Sequence, residues 1–140
     1  MRCTNHKMKN IVFVSIIDDE EIIRSLLLKI LKTIEIEQVE LDVAAFEGGI
    51  PFFESKRAED SRNHLIILDG IMPAMDGMEI LQKVKKTNNG SNIYVLMLSG
   101  RKSESYVQRA LLLGADDYVT KPFGIQELKE RIRRLLIRMN

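Results

Sequence analysis

Polar side chains stand where four apolar runs end: Asp18-Asp19 after residues 11–17, Asp69 after His64–Leu68, Ser99 after residues 93–98, and Lys121 after Asp117–Thr120. An Asp at the end of such a run more often than not merely starts a turn. The company of the others argues for more. Gathered together, Asp18, Asp19 and Asp69 bring about three negative charges into close range, which is costly unless one protonates or a cation enters. Oxygen-only ligands with neither His nor Cys beside them favour Mg²⁺ over Zn²⁺. Mg²⁺ and Lys121 together balance the acids. An added phosphoryl group is then held by Lys121 as a point charge and by a hydrogen bond from the Ser99 hydroxyl. The chemistry that fits is attack of the Asp69 carboxylate on phosphorus to form an aspartyl phosphate. Such transfer rests mostly on positioning and charge stabilisation, so a small set of groups suffices. The roles expected are Asp69 as nucleophile and metal ligand, Asp19 as metal ligand, and Asp18 as ligand directly or through water. The backbone carbonyl of Ile71 completes the metal shell.

These groups need elements that bring them to one place. Residues 11–17, His64–Leu68 and residues 93–98 are continuous apolar runs, the pattern of strands buried on both faces. Val39–Phe46 alternates apolar with acidic at its start, which predicts a strand at the margin of the sheet. Asp117–Thr120 reads as a short fifth strand. Between strands, apolar residues recur at helical spacing: Ile22, Ile23, Leu26, Leu27, Ile30, Leu31 and Ile34, then Met78, Ile80, Leu81 and Val84. Arg24, Lys29 and Lys32 fall on the opposite side of the first helix. Tyr106, Val107, Ala110, Leu111 and Leu113 predict a fourth helix closed by Gly114, and Ile125, Leu128, Ile132, Leu135 and Leu136 a fifth. The second helix is the weakest signal: Pro51 suits a first turn, and the charged stretch 56–60 fades into a loop. Asn88-Asn-Gly90 is expected to stop the third helix. Five strand–helix pairs predict an α/β, doubly wound parallel sheet of (βα)5 type with strand order 2-1-3-4-5. In such a sheet the polar strand ends share one rim, where ligands bind.

With 140 residues the chain is sized for a single domain. Residues 1–9 read as a flexible N-terminal segment and 10–138 as the folded unit. The formal net charge of +1 gives no overall pull toward nucleic acid or membrane. No apolar stretch is long enough to span a bilayer. The single cysteine, Cys3, has no partner for a disulfide or metal site, and a cytoplasmic location is the simpler expectation.

Ile17-Asp-Asp-Glu20, Asp69-Gly-Ile-Met-Pro-Ala-Met-Asp-Gly77, Leu98-Ser99 and Gly114-Ala-Asp-Asp-Tyr-Val-Thr-Lys-Pro-Phe123 together resemble the receiver domain of two-component response regulators. The likeness covers nearly the whole chain. It implies a flavodoxin-like fold, dependence on Mg²⁺, phosphorylation at Asp69 by a sensor histidine kinase, and a cis bond between Lys121 and Pro122. It also implies a switch in which the Ser99 hydroxyl moves toward the phosphoryl group and Tyr118 turns inward. A signalling phosphoacceptor rather than an enzyme is expected, controlling an output domain or effector protein, with DNA contacted only through an output domain outside this chain.

The stretch from Gly114 to Arg138 looks most like receivers of winged-helix transcription factors, which pair through the fourth helix, fifth strand and fifth helix. Asp117, Glu127 and Arg131 match such positions, so a homodimer through that face is an expectation; Val107 departs from the pattern. Gly70 also departs, standing where the family has a larger apolar residue, and predicts a looser loop. Ile71 and Arg101 hold variable positions expected to influence how long the phosphoryl group lasts. A haloacid-dehalogenase-like phosphatase is the alternative. It places an acid–base Asp two residues after its nucleophile, where Ile71 stands and cannot move protons.

Overall fold

The structure, a computed structural model, describes residues 9–87 and 92–139. The expected flexible segment, apart from its last residue, and the Asn88-Asn-Gly90 helix stop lie outside the described residues. The strands are β1 (Asn10–Ile17), β2 (Val39–Phe46), β3 (His64–Leu68), β4 (Ile93–Ser99) and β5 (Asp117–Thr120). They form one parallel sheet in the order β2-β1-β3-β4-β5, as the strand patterns predict. The helices are α1 (Glu21–Lys32), α2 (Gly49–Glu54), α3 (Gly77–Lys86), α4 (Glu104–Leu112) and α5 (Ile125–Arg138).

The period of two along each strand divides the core into two layers. Val12, Val14 and Ile16 of β1, with Leu65 and Ile67 of β3 and Leu96 and Leu98 of β4, pack against α1 and α5. Ile17, Ile66, Leu68, Val95 and Met97 point the other way, against α2, α3 and α4. Both faces are covered, so these strands read as unbroken apolar runs.

Two helix starts carry side-chain caps. Asp76 accepts the Glu79 amide ahead of α3, and Ser103 accepts the Tyr106 amide ahead of α4. Gly114, at φ +112°, ends the turn after α4, a conformation that favours glycine.

Three expectations are revised. Ile22, in the first turn of α1, is 81% exposed. On α4, Leu111 is also exposed and only Ala110 is fully buried. The stretch 56–60 is not a plain loop: Arg57–Glu59 is a 3-10 turn. Arg57 bonds Ser15 Oγ, the Val14 carbonyl and both the carboxylate and carbonyl of Asp42, tying that turn to β1 and β2.

Candidate functional site

Register builds the site. Ile17 lies opposite Leu68, so the next residues, Asp18 and Asp69, leave neighbouring strands side by side. Ser99 lies opposite Thr120, and Lys121 follows at once. Backbone bonds continue past the strand ends: the Asp18 amide donates to Phe46 O at 3.1 Å, Asp69 to Ile17 O at 2.9 Å, and Lys121 to Ser99 O at 2.9 Å. Asp18, Asp69 and Ser99 are all buried although polar. The peptide bond between Lys121 and Pro122 is cis, as the resemblance implies.

Lys121 sits among three acids. Its Nζ is 3.0 Å from Asp18 Oδ2, 3.2 Å from Glu20 Oε1 and 3.6 Å from Asp69 Oδ1. One ammonium does not neutralise three carboxylates. Burial pushes the Asp69 carboxyl up to about 6, with the neighbouring Asp18 charge adding to the rise and Lys121 opposing it. Asp18 is also raised, first by burial, against the Glu20 amide and Lys121 that favour its ionised form. At Lys121 burial works against the charge, yet the bond to Asp18 and the charges of Asp18 and Asp69 outweigh it, and the pKa rises. The ammonium therefore stays charged at neutral pH.

Asp18, Glu20 and Asp69 each offer an oxygen within 4.8 Å of the others. An all-oxygen, acid-rich cluster with a raised carboxyl pKa is the donor set that suits a hard divalent cation such as Mg²⁺. Asp18 and Asp69 are in it; Asp19 lies exposed outside it, and Glu20 takes part instead. The turn explains this. The Glu20 amide folds back to donate to Asp18 Oδ1 at 2.9 Å, which brings the Glu20 side chain in reach of Lys121. Ile71, two residues after Asp69, donates its amide to Asp69 Oδ1 at 3.3 Å and has its side chain half exposed.

The loop after Asp69 is closed rather than loose. The Gly77 amide returns to Gly70 O at 3.0 Å. A Cβ at Gly77 would collide with the Asp69 carbonyl oxygen, so this close approach requires glycine. Gly70 is buried as well: a Cβ there would stand 2.7 Å from Ser99 Oγ and 2.8 Å from the Tyr106 hydroxyl. The loop expected to be loose is thus filled by neighbours that occupy the missing side chain's space.

Ser99 Oγ accepts the Arg101 amide at 3.1 Å. Tyr118 donates its hydroxyl to Arg101 O at 2.8 Å and meets the Tyr106 ring edge-on at 6.2 Å. Two residues escaped the sequence reading besides Glu20. Arg24, assigned to the solvent side of α1, bonds Asp18 O at 2.8 Å and braces the acidic turn. Tyr106, assigned to an inner face of α4, donates its hydroxyl to Gly70 O at 3.3 Å.

A family model described as the response regulator receiver domain matches residues 14–133. The chain is 34% identical over 129 residues to the alkaline phosphatase synthesis transcriptional regulatory protein SphR of Synechococcus elongatus, covering 88% of this chain and 48% of that protein. It is 32% identical over 125 residues to the phosphate regulon transcriptional regulatory protein PhoB of Rhizobium meliloti, covering 89% and 52%. It spans about half the length of these curated relatives. The solved BeF3-activated DrrB receiver domain is similar with a TM-score of 0.74 and 27% identity, over 94% of this chain and 99% of that one.

Proposed function

Since this chain belongs to the response regulator receiver domain family, we propose that Asp69 is the residue on which it accepts a phosphoryl group from a sensor histidine kinase. The observation that carries this is the buried Asp69 carboxyl, set against Asp18 and within 3.6 Å of a charged Lys121. One Asp69 oxygen attacks phosphorus in line. The phosphorus–nitrogen bond of the donor phosphohistidine breaks, and its electron pair returns to the imidazole. A mixed anhydride of Asp69 remains. Lys121 holds one phosphoryl oxygen, and the Ser99 hydroxyl donates to another.

Receiver domains are signalling domains that bind Mg²⁺ at an acidic pocket and work with histidine kinases. Here Asp18 and Asp69 are the proposed ligands. Glu20 lies in the same acidic cluster, and Asp19 and the Ile71 carbonyl are the further ligands of the proposal. When bound, the ion offsets charge on the phosphoryl oxygens. No acid–base residue occupies the position of Ile71, which argues against a haloacid-dehalogenase-like phosphatase.

The switch we assign joins Ser99 to Tyr118: movement of the hydroxyl toward a phosphoryl group shifts the Arg101 backbone that Tyr118 holds. The readout surface is α4, β5 and α5, which carry the exposed Leu111 and Leu112 and the ion pairs of Arg131 with Asp117 and Glu127. A homodimer on that face would exchange acid–arginine pairs that here close within one chain, Arg131 to Asp117 at 2.8 Å and to Glu127 at 3.2 Å. A cytoplasmic site of action, and DNA contact through an output domain like those of transcriptional regulators, complete the reading.

The test is incubation with acetyl phosphate and Mg²⁺, followed by separation of phosphorylated from unmodified protein. The wild type should be modified and Asp69→Asn should not. Equal modification of both would end this assignment.

A further inference from the structure

The Gly70 carbonyl, next in sequence to the phosphoacceptor, is bonded twice. The Gly77 amide reaches it at 3.0 Å from within the loop, and the Tyr106 hydroxyl at 3.3 Å from α4. The same hydroxyl fills the space a Gly70 side chain would take, 2.8 Å from the position of its Cβ. Tyr106 is itself held from two sides. The Arg101 guanidinium lies over its ring at 5.2 Å, and Tyr118 packs edge-on at 6.2 Å. We propose that Tyr106 is a positioning residue that fixes the phosphoacceptor loop to α4 through the Gly70 carbonyl, keeping water from Asp69 and so lengthening the life of its phosphoryl group.

The physical case is complementarity between a missing side chain and a supplied one. A glycine at position 70 leaves a gap above Ser99 and beside Asp69. The Tyr106 hydroxyl occupies that gap, and Gly70, Ser99 and Asp69 are all buried. The hydroxyl adds direction: it ends on the peptide that orients Asp69, so the loop and the first turns of α4 move together. Tyr118 plays a different part, since its own hydroxyl goes to Arg101 O and not to the loop. The effect on lifetime rests on Asp69 being the phosphoacceptor; the link between Tyr106 and Gly70 does not.

The experiment therefore has two arms. In the unphosphorylated protein, amide hydrogen exchange is followed by NMR at Ile71 and Gly77 in wild type, Tyr106→Phe and Tyr106→Ala. Removing one oxygen should speed exchange at Gly77 about threefold to tenfold, the worth of one hydrogen bond, in both variants. In the second arm the protein is phosphorylated with acetyl phosphate and Mg²⁺, the donor removed, and the decay timed. Tyr106→Phe should lose the phosphoryl group about threefold to tenfold faster than wild type. Wild-type exchange at Gly77 in Tyr106→Phe, with only Tyr106→Ala disturbed, would reduce Tyr106 to ring packing and overturn the proposal. Altered exchange with unchanged or slower decay would overturn its role in lifetime. If the wild type takes no phosphoryl group, the Asp69 reading has failed, and the exchange arm alone decides the link to α4.

Discussion

The two rims of the sheet hold similar side chains and treat them in opposite ways. At the amino ends of the strands Asp60 and Asp116 each have a cation of their own. Asp60 receives the Arg62 amide and guanidinium at 2.8–3.0 Å, and those bonds pull its carboxyl down to about 2. Asp116 accepts Lys85 Nζ at 3.0 Å and the Val95 amide at 2.8 Å, while Lys85 also reaches Ile93 O at 2.7 Å. His64 is buried there, and burial lowers its pKa, so it carries no charge at neutral pH; its Nε2 lies 2.8 Å from Asp60 O. At the carboxyl ends Asp18, Glu20 and Asp69 share Lys121, and both buried carboxyls are pushed up. Charges matched one to one serve folding. A buried surplus of one sign is what folding alone avoids, and it marks the rim built to receive something.

The sharpest way to break this contrast is to remove one lysine from each rim. Lys121→Met should lower the rate of phosphoryl acceptance from acetyl phosphate by about 100-fold, the usual cost of one lost donor to a transferring group. Lys85→Met should leave that rate within about twofold of wild type. It should instead cost about 1–3 kcal/mol of stability in urea, because Asp116 is left half buried with a backbone donor only. Equal losses of acceptance in the two variants would erase the distinction between the rims.

Next in size is the effect of the surplus on stability. Folding pushes the Asp69 carboxyl up to about 6, chiefly by burial, from the ~3.9 of an unfolded chain. A carboxyl raised on folding adds stability that is full below the unfolded value and is lost as pH rises through the folded one. In metal-free solution at pH 7.5, Asp69→Asn should therefore be more stable than wild type by about 1–3 kcal/mol. The difference should shrink as pH falls through 6 toward 4. Other acids titrate in both proteins, so the comparison isolates position 69. Millimolar Mg²⁺ should raise the melting temperature of the wild type and close the gap, by binding the folded state alone. An Asn variant no more stable than wild type at pH 7.5 would mean that the carboxylates are already compensated.

The same contrast explains what could be read from the chain unfolded. Continuous apolar runs such as His64–Leu68 fix which strands are central, and the acidic alternation of Val39–Phe46 fixes the edge. With the order known, the polar residues at the ends of β1, β3, β4 and β5 must share a rim. Finer assignments escaped for local reasons. Alternation ends where β1 ends, so nothing in Asp18-Asp19-Glu20 says which acids turn inward; the bond from the Glu20 amide to Asp18 decides it. Helical spacing tells which side of a helix is apolar but not which turn overhangs the site. Arg24 and Tyr106 were missed for that reason, and Ile22 was wrongly placed inside. Arg57 was lost in a charged stretch because its four bonds run to β1 and β2, far away in sequence.

The smallest effect concerns the mouth of the acid-rich rim. Ile71 is half exposed, and its amide donates to Asp69 Oδ1 at 3.3 Å. Arg101 is exposed, but its guanidinium rests over Tyr106 and its amide donates to Ser99 Oγ. Ile71→Ala should speed loss of the phosphoryl group about twofold to fivefold by admitting water, a change under 1 kcal/mol in barrier. Arg101→Ala should act in the same direction but more weakly, about twofold, since the guanidinium stands over the Tyr106 ring and not over the carboxylate. Arg62→Ala, at the opposite rim, is the control and should not alter the decay. Decay unchanged in both Ile71→Ala and Arg101→Ala would show that the lifetime is set inside the cluster and not at its mouth. A change in Arg62→Ala as large as theirs would show that the two rims are not independent.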